Sequence, residues 1–157
     1  MTPFPRILIA VDGTSVAARA AEVGLEIAAA LGSEVAFIHV VDPAVGLGVE
    51  SGVSASDNVE MAKQDAKGLL TSLTKQIAET ANARLAREFV TVGNAAAQIA
   101  KTAREWPADL IVIGTRGHGR LEAAVFGSVE ASVLHNASCP VLVVPAAGDR
   151  ATATLHP

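Results

Sequence analysis

RILIAV, Arg6–Val11, followed by Asp12-Gly13-Thr14, is the stretch on which the fold turns. A continuous apolar run this short, bounded by Pro5 and by turn formers, predicts a strand covered on both faces. Helical spacing begins directly after it. Ala20, Val23, Ile27 and Leu31 lie three or four residues apart, Thr14 or Ser15 can cap the start, and Gly32 stops the end. A doubly covered strand that feeds straight into an amphipathic helix is the first half of a parallel βαβ unit.

The pattern repeats outward from there. Val35–Val41 (VAFIHVV) predicts the second strand, and Asp42–Ser56, rich in Gly, Ser and Val without period, predicts a loop long enough to be functional or mobile. A long helix follows, with Ala62, Ala66, Leu69, Leu73 and Ile77 on one face and with Gly68 as a weak point. Ala86–Val92 is the third strand, ended by Gly93. Asn94 can cap a third helix whose face is Ala96, Ile99, Ala103 and Trp106, stopped by Pro107. Asp109–Gly114 (DLIVIG) is the fourth strand, Ser128 to about Asn136 a short helix, and Pro140–Val144 the fifth strand. No internal repeat is visible.

Strands alternating with helices imply right-handed crossovers and a doubly wound, Rossmann-like α/β domain. Five strands in the order 3-2-1-4-5 would put the ligand crevice between strands one and four, beyond their C-terminal ends. The 157 residues fit one domain, expected over 1–146, with a disordered tail over 147–157. Half the residues are hydrophobic but only 3% aromatic, so Ala, Val, Ile and Leu must build the core. The net charge of −4 offers no basic stripe and weighs against nucleic acid or an anionic membrane as partner. Ile7–Val11 is too short for a signal-peptide core or a membrane span, so a cytoplasmic protein is expected. Cys139, the lone cysteine, cannot form an internal disulfide and is expected to be buried beside the last strand.

The chemistry concentrates after strand four, in Gly114-Thr115-Arg116-Gly117-His118-Gly119-Arg120, then LEAAVF, then Gly127-Ser128-Val129 opening a helix. Glycines let the backbone approach a ligand closely, and successive free amides form an anion-binding concavity. Gly127 and Ser128 sit where a helix N-terminus leaves unpaired amides. Such a loop suits a polyphosphate, although glycines also simply shape a long connection. No Lys precedes Ser128, so the P-loop pattern is missing, and Glu122 breaks the dinucleotide fingerprint after Gly117-His118-Gly119. Asp12-Gly13-Thr14 after a strand has the look of a haloacid-dehalogenase-type phosphatase, but Ala10 stands where the nucleophile would be.

With these residues in view, the sequence resembles the ATP-binding branch of the universal stress protein family. Its signature, G-x2-G-x9-G-[ST], is complete as Gly114, Gly117, Gly127 and Ser128. The likeness also covers VDGT at Val11–Thr14, HVVDP at His39–Pro43, DLIVIGTRGHG at Asp109–Gly119 and CPVLVV at Cys139–Val144. The resemblance implies the 3-2-1-4-5 sheet, a homodimer pairing Val141–Val144 edge strands, and ATP in the crevice between strands one and four, with Mg2+ or Mn2+ accompanying the phosphates. It also implies that Asp12 and the backbone of Val40 contact the adenosine part, Gly114 and Gly117 the ribose and phosphates, and Gly127, Ser128 and Val129 the phosphate tail. Gly93-Asn94-Ala95 departs from many members, which carry Pro or an acidic residue after the glycine; this touches the third helix cap and, on the resemblance, leaves nucleotide binding undisturbed.

Other residues are read against simpler roles. Asp12 is also a good turn former or cap. Arg116, His118 and Arg120 either neutralise phosphate or belong to a solvated loop. His39, in an apolar strand, is expected to be a satisfied core histidine. His135 and Ser138 have no acidic partner at triad-like spacing, and scattered His with one Cys give no metal-site spacing. The sequence therefore predicts a nucleotide-dependent regulator in stress response. The alternatives are a slow ATP hydrolase or phosphotransferase, which needs a base near the γ-phosphate, and an interaction module that takes another adenine nucleotide such as cyclic AMP.

Overall fold

A computed structural model describes residues 2–44, 54–80, 83–115 and 128–146. The predicted tail over 147–157 lies outside them. Each strand except the last leads into a helix: β1 (Arg6–Ala10), α1 (Ser15–Leu31), β2 (Glu34–Val41), α2 (Ala55–Thr80), β3 (Arg84–Val92), α3 (Ala95–Glu105), β4 (Leu110–Gly114), α4 (Ser128–Asn136) and β5 (Val141–Val144). The strands form one five-stranded sheet in the order β3-β2-β1-β4-β5, every neighbouring pair parallel. This is the doubly wound order expected from the sequence.

Alternation along β1 divides the core. Ile7 and Ile9 join Val35, Phe37 and Val112 under α1 and Leu70 of α2, while Leu8 and Ala10 join Ala36, Ile38, Ile111 and Ile113 under α3 and Val133 of α4. Alanines fill most helix positions against the sheet: Ala17, Ala20, Ala21 and Ala28 on α1, and Ala96, Ala100 and Ala103 on α3. Small side chains bring the helix axes close to the strands, which is how a core with few rings reaches full burial.

The helix ends follow the capping chemistry read from the sequence. Thr14 accepts from the N–H of Ala17, and Gly32 closes α1 in the left-handed conformation, φ 71°. Asn94 Oδ1 accepts from the N–H of Ala97 at 3.0 Å and starts α3.

Several boundaries need correction. Val11 lies beyond β1, although its N–H still donates to the Ile38 carbonyl at 2.9 Å. β2 and β3 begin earlier than predicted, at Glu34 and Arg84, because the two pair with each other from those residues onward. Asp109 and Pro140 precede β4 and β5 but still serve them, the Asp109 N–H donating to Arg6 and the Pro140 carbonyl accepting from Ile111. α2 starts at Ala55, inside the predicted loop, since the Ser54 hydroxyl caps it by accepting from the Asp57 N–H at 3.2 Å and donating to Asp57 Oδ2 at 2.7 Å. Residues 45–53 of that predicted loop lie outside the described residues. Among the described side chains of α2 Leu70 is fully buried, beside buried Ala66, whereas Leu69 and Leu73 are only partly buried, and the side chain of Ile77 lies outside the described residues. Adjacent leucines at 69 and 70 leave the face ambiguous to a periodicity argument, and the sheet chooses between them.

Candidate functional site

At the C-terminal ends of β1 and β4 the chain leaves in opposite directions. Asp12-Gly13-Thr14 carries it from β1 to α1 on one face, whereas α4, the helix that follows β4, packs on the other. A crevice must open between them. It holds about 490 Å3, counting its solvent-open mouth, and is walled by Ile38, Val40, Ile99, Ile113 and Val129, with Asp12, Thr14, Ala95, Thr115 and Glu130 among the rest.

Each wall has a local cause. The Ile38 carbonyl faces β1, where it accepts from Val11, and the Val41 carbonyl faces β3, where it accepts from the Gly93 N–H at 3.0 Å. By alternation the N–H and C=O of Val40 face β1 again, at a level where β1 has already turned away through Gly13 at φ 82°. The backbone donor and acceptor of Val40 therefore look into the crevice. Asp12, beside it, has Oδ1 occupied by the N–H of Thr14 at 2.9 Å and by its hydroxyl at 2.6 Å, while Oδ2 takes no hydrogen bond among the described residues.

Gly114 ends β4 where α1 begins. A Cβ there would stand 2.9 Å from both Cγ1 and the carbonyl oxygen of Val16, so the glycine is required by helix–strand packing. Its φ is not among the positive ones, and the close approach it permits is to α1. Sequence reasoning weighed ligand approach and loop shaping for this glycine, and helix–strand packing was not among its readings. Across the crevice Val129 and Glu130 occupy the first turn of α4.

The predicted residues Asp12, Val40, Gly114 and Val129 thus converge on one crevice. Ser128 opens α4 and its backbone is in place, but its side chain, like Gly117, Gly127, Arg116, His118 and Arg120, lies outside the described residues. Glu130 was missed by sequence reasoning. It is 0% exposed, and its place in the first turn puts a carboxylate at the positive end of the helix dipole. An acidic residue three positions after Gly127, at a helix start, was the available signal. Ala95 was missed as well, and the Gly93-Asn94-Ala95 departure reaches the crevice through it.

One further expectation is met nearby. His39 is half-buried and its Nδ1 lies 2.9 Å from the Val11 carbonyl, which makes Nδ1 the donor to the last peptide of the β1 run. Among the described residues no cluster of three His, Cys, Asp or Glu could hold a metal ion, and no helix is long and apolar enough to cross a membrane.

Residues 3–145 match the model of the universal stress protein family. The chain belongs to that family. It is 37% identical over 143 residues to universal stress protein MJ0531 of Methanocaldococcus jannaschii, covering 90% of this chain and 82% of that one. Among solved structures, a universal stress family protein from Burkholderia pseudomallei superposes with a TM-score of 0.75 at 28% identity, over 93% of this chain and 99% of the other. The universal stress protein of Archaeoglobus fulgidus, solved in complex with dAMP, superposes with a TM-score of 0.60 at 25% identity, over 92% and 99% of the two chains.

Within this universal stress protein fold the crevice offers two chemistries. Ile38, Val40, Ile99 and Ile113 make a slot of apolar walls suited to a planar base, with the Val40 peptide and Asp12 at its edge. α4 begins at the crevice, and the first turn of a helix leaves amides without intrahelical partners, which suit an anion. Among the described residues the acidic side chains lining the crevice are Asp12 and Glu130.

Proposed function

We propose that this universal stress protein binds ATP in the crevice between β1 and β4 and acts as a nucleotide-dependent regulator in a cytoplasmic stress response. The supporting observation is the convergence of Asp12, Val40, Gly114 and Val129 on one crevice at the strand-order switch, in a chain whose Gly114, Gly117, Gly127 and Ser128 complete the family's glycine spacing. The base would lie against the Val40 peptide with its amino group toward Asp12, the ribose and first phosphates by Gly114 and Gly117, and the phosphate tail at Gly127, Ser128 and Val129. Arg116, His118 and Arg120 are the side chains near that tail in sequence, and would supply positive charge to it. Mg2+ or Mn2+ would come with the nucleotide, held mainly by its phosphates.

The same reading extends to assembly. β5 is an edge strand of the sheet, with Val141, Leu142 and Val143 each only half-buried, so pairing with a second copy would cover it and form a homodimer.

A second reading, binding of an adenine mononucleotide or cyclic AMP, draws on the acidic side chains in the crevice and on the dAMP complex of the Archaeoglobus relative. Hydrolysis or phosphotransfer would need a base beside the γ-phosphate, and His118 is the residue to test for it. Calorimetric titration of ATP, AMP and cyclic AMP into wild type and Gly127→Val separates these readings. ATP is expected to bind best, with binding lost in the variant. Equal ATP affinity in both proteins would overturn the assignment of the glycine loop, and tighter binding of AMP or cyclic AMP would favour the second reading.

A further inference from the structure

The crevice contains a hydrogen-bond chain whose middle member has no role in the binding scheme above. Thr14 donates its hydroxyl proton to Asp12 Oδ1 at 2.6 Å and its backbone N–H to the same oxygen at 2.9 Å. Its hydroxyl oxygen accepts from the N–H of Ala17 at 3.2 Å, in the first turn of α1. A hydroxyl has one proton, and here that proton is committed to the carboxylate because the N–H of Ala17 occupies the acceptor side. Rotation of the Asp12 side chain about χ1 or χ2 would break both bonds to Oδ1 at once. Oδ2, without a partner among the described residues, is then the oxygen left for an incoming group.

We infer that Thr14 is a positioning residue for nucleotide binding: it fixes the Asp12 carboxylate with Oδ2 available to the base and anchors that orientation to the start of α1. The inference rests on the proposal that Asp12 contacts the nucleotide. The physical gain is preorganisation. An exposed aspartate samples several rotamers and loses that freedom on binding, whereas one already held by two donors loses little. Gly13 at φ 82° supplies the turn that brings Thr14 back over Asp12, and the capping bond to Ala17 keeps the Thr14 hydroxyl from turning away. One residue therefore serves as helix cap and as orienting donor. Serine can do both, and valine, with nearly the same shape, can do neither.

A double-mutant cycle tests this, with ATP affinity measured by calorimetry for wild type, Thr14→Ser, Thr14→Val, Asp12→Ala and the Asp12→Ala/Thr14→Val double variant, and thermal melts recorded for each. Asp12→Ala is expected to weaken ATP about tenfold, the size of one charge-assisted hydrogen bond. Thr14→Val should weaken it by about fivefold to tenfold in the wild-type background and by less than about twofold when Asp12 is already alanine, which is the mark of coupling between neighbours. Thr14→Ser should bind as wild type. The loss of the α1 cap should lower the melting temperature in both backgrounds alike, so stability alone cannot produce the expected pattern. An affinity loss from Thr14→Val that is equal in both backgrounds would overturn the positioning role and leave the Asp12 contact standing. An Asp12→Ala variant with undiminished ATP affinity would overturn both.

Discussion

The two ends of the β1–β4 pair make a contrast within one piece of sheet. At the N-terminal end the backbone of Arg6 donates to Asp109 Oδ2 at 2.8 Å, and its carbonyl accepts from the Asp109 N–H at 2.8 Å. The Arg6 guanidinium lies 5.8 Å over the centre of the Trp106 ring and pairs with Glu34 at 3.6 Å, while the fully buried Ser33 donates to the Phe4 carbonyl at 2.6 Å. These bonds tie the strands together at that end, where the hollows beside Arg6, Glu34 and Pro107 are open and shallow. At the C-terminal end the same two strands splay into the crevice of Asp12, Val40 and Glu130. Parallel strands put every strand-to-helix departure on one side, and where departures go to opposite faces the chain cannot cover the gap it leaves. Helices return to the other end instead, and their connections are bonded to the strands there. Polar groups at the lower end are therefore spent on structure, and those at the upper end are available to a ligand.

This contrast can be broken by substitution, and the largest effect is expected where the two roles coincide. Gly114→Ala would force Val16 of α1 to move, because a Cβ meets its backbone oxygen at 2.9 Å. A loss of about 1–3 kcal/mol of stability, together with a clear fall in ATP affinity, is expected in denaturant titrations and calorimetry. Unchanged stability would show that α1 shifts freely and that the upper end is not set by this contact.

Asp109→Ala tests the lower end. Losing the carboxylate that accepts from the Arg6 N–H should reduce stability by about 1–2 kcal/mol and leave ATP affinity within about twofold, since nothing at the crevice changes. A comparable fall in affinity would mean that the two ends are not independent.

Glu130→Gln sharpens the picture of the upper end. Replacing a fully buried carboxylate on the crevice wall by its neutral isostere is expected to strengthen ATP relative to adenosine by about threefold to tenfold, as removal of a like charge near a phosphate should. An unaltered ATP-to-adenosine ratio would place the phosphates away from Glu130.

The smallest effect concerns Cys139, half-buried just before β5. Burial pushes its thiol above the ordinary range, and the Asp109 charge pushes the same way against a weaker opposing backbone hydrogen bond from Ile111. Because the thiolate is the reactive form, alkylation near neutral pH should be slow and should keep accelerating beyond the pH where a free cysteine levels off. Asp109→Ala should speed it modestly. A labelling rate that matches a free cysteine would contradict the burial of this corner.

Much of the fold was legible because it is written locally. The cap residues Thr14 and Asn94 and the stop at Gly32 each act within a turn of chain, and α4 runs from Ser128 to Asn136 as expected. Strand ends were less legible, since Val11 and Asp109 look like strand by composition and are distinguished by pairing partners far away in the chain. The choice of Leu70 over Leu69 on α2 had the same origin. At the site, Asp12 and Gly114 were legible because the switch point follows from strand order. Glu130 was not, because an acid three positions after Gly127 marks a helix start and not burial, which the assembled fold sets.

The sequence by itself determined the parallel α/β architecture and the core of small aliphatic residues, because apolar period, capping residues and turn glycines act over a few residues; the place of the crevice followed only with the strand order. Only the tertiary structure decided that Gly114 is demanded by Val16, that the Val40 peptide faces the crevice, that Thr14 locks Asp12, and that Glu130 is buried in its wall. Those facts depend on which segments meet in space, and the meeting is set by sheet order and by helices leaving for opposite faces, neither of which any short stretch of chain contains.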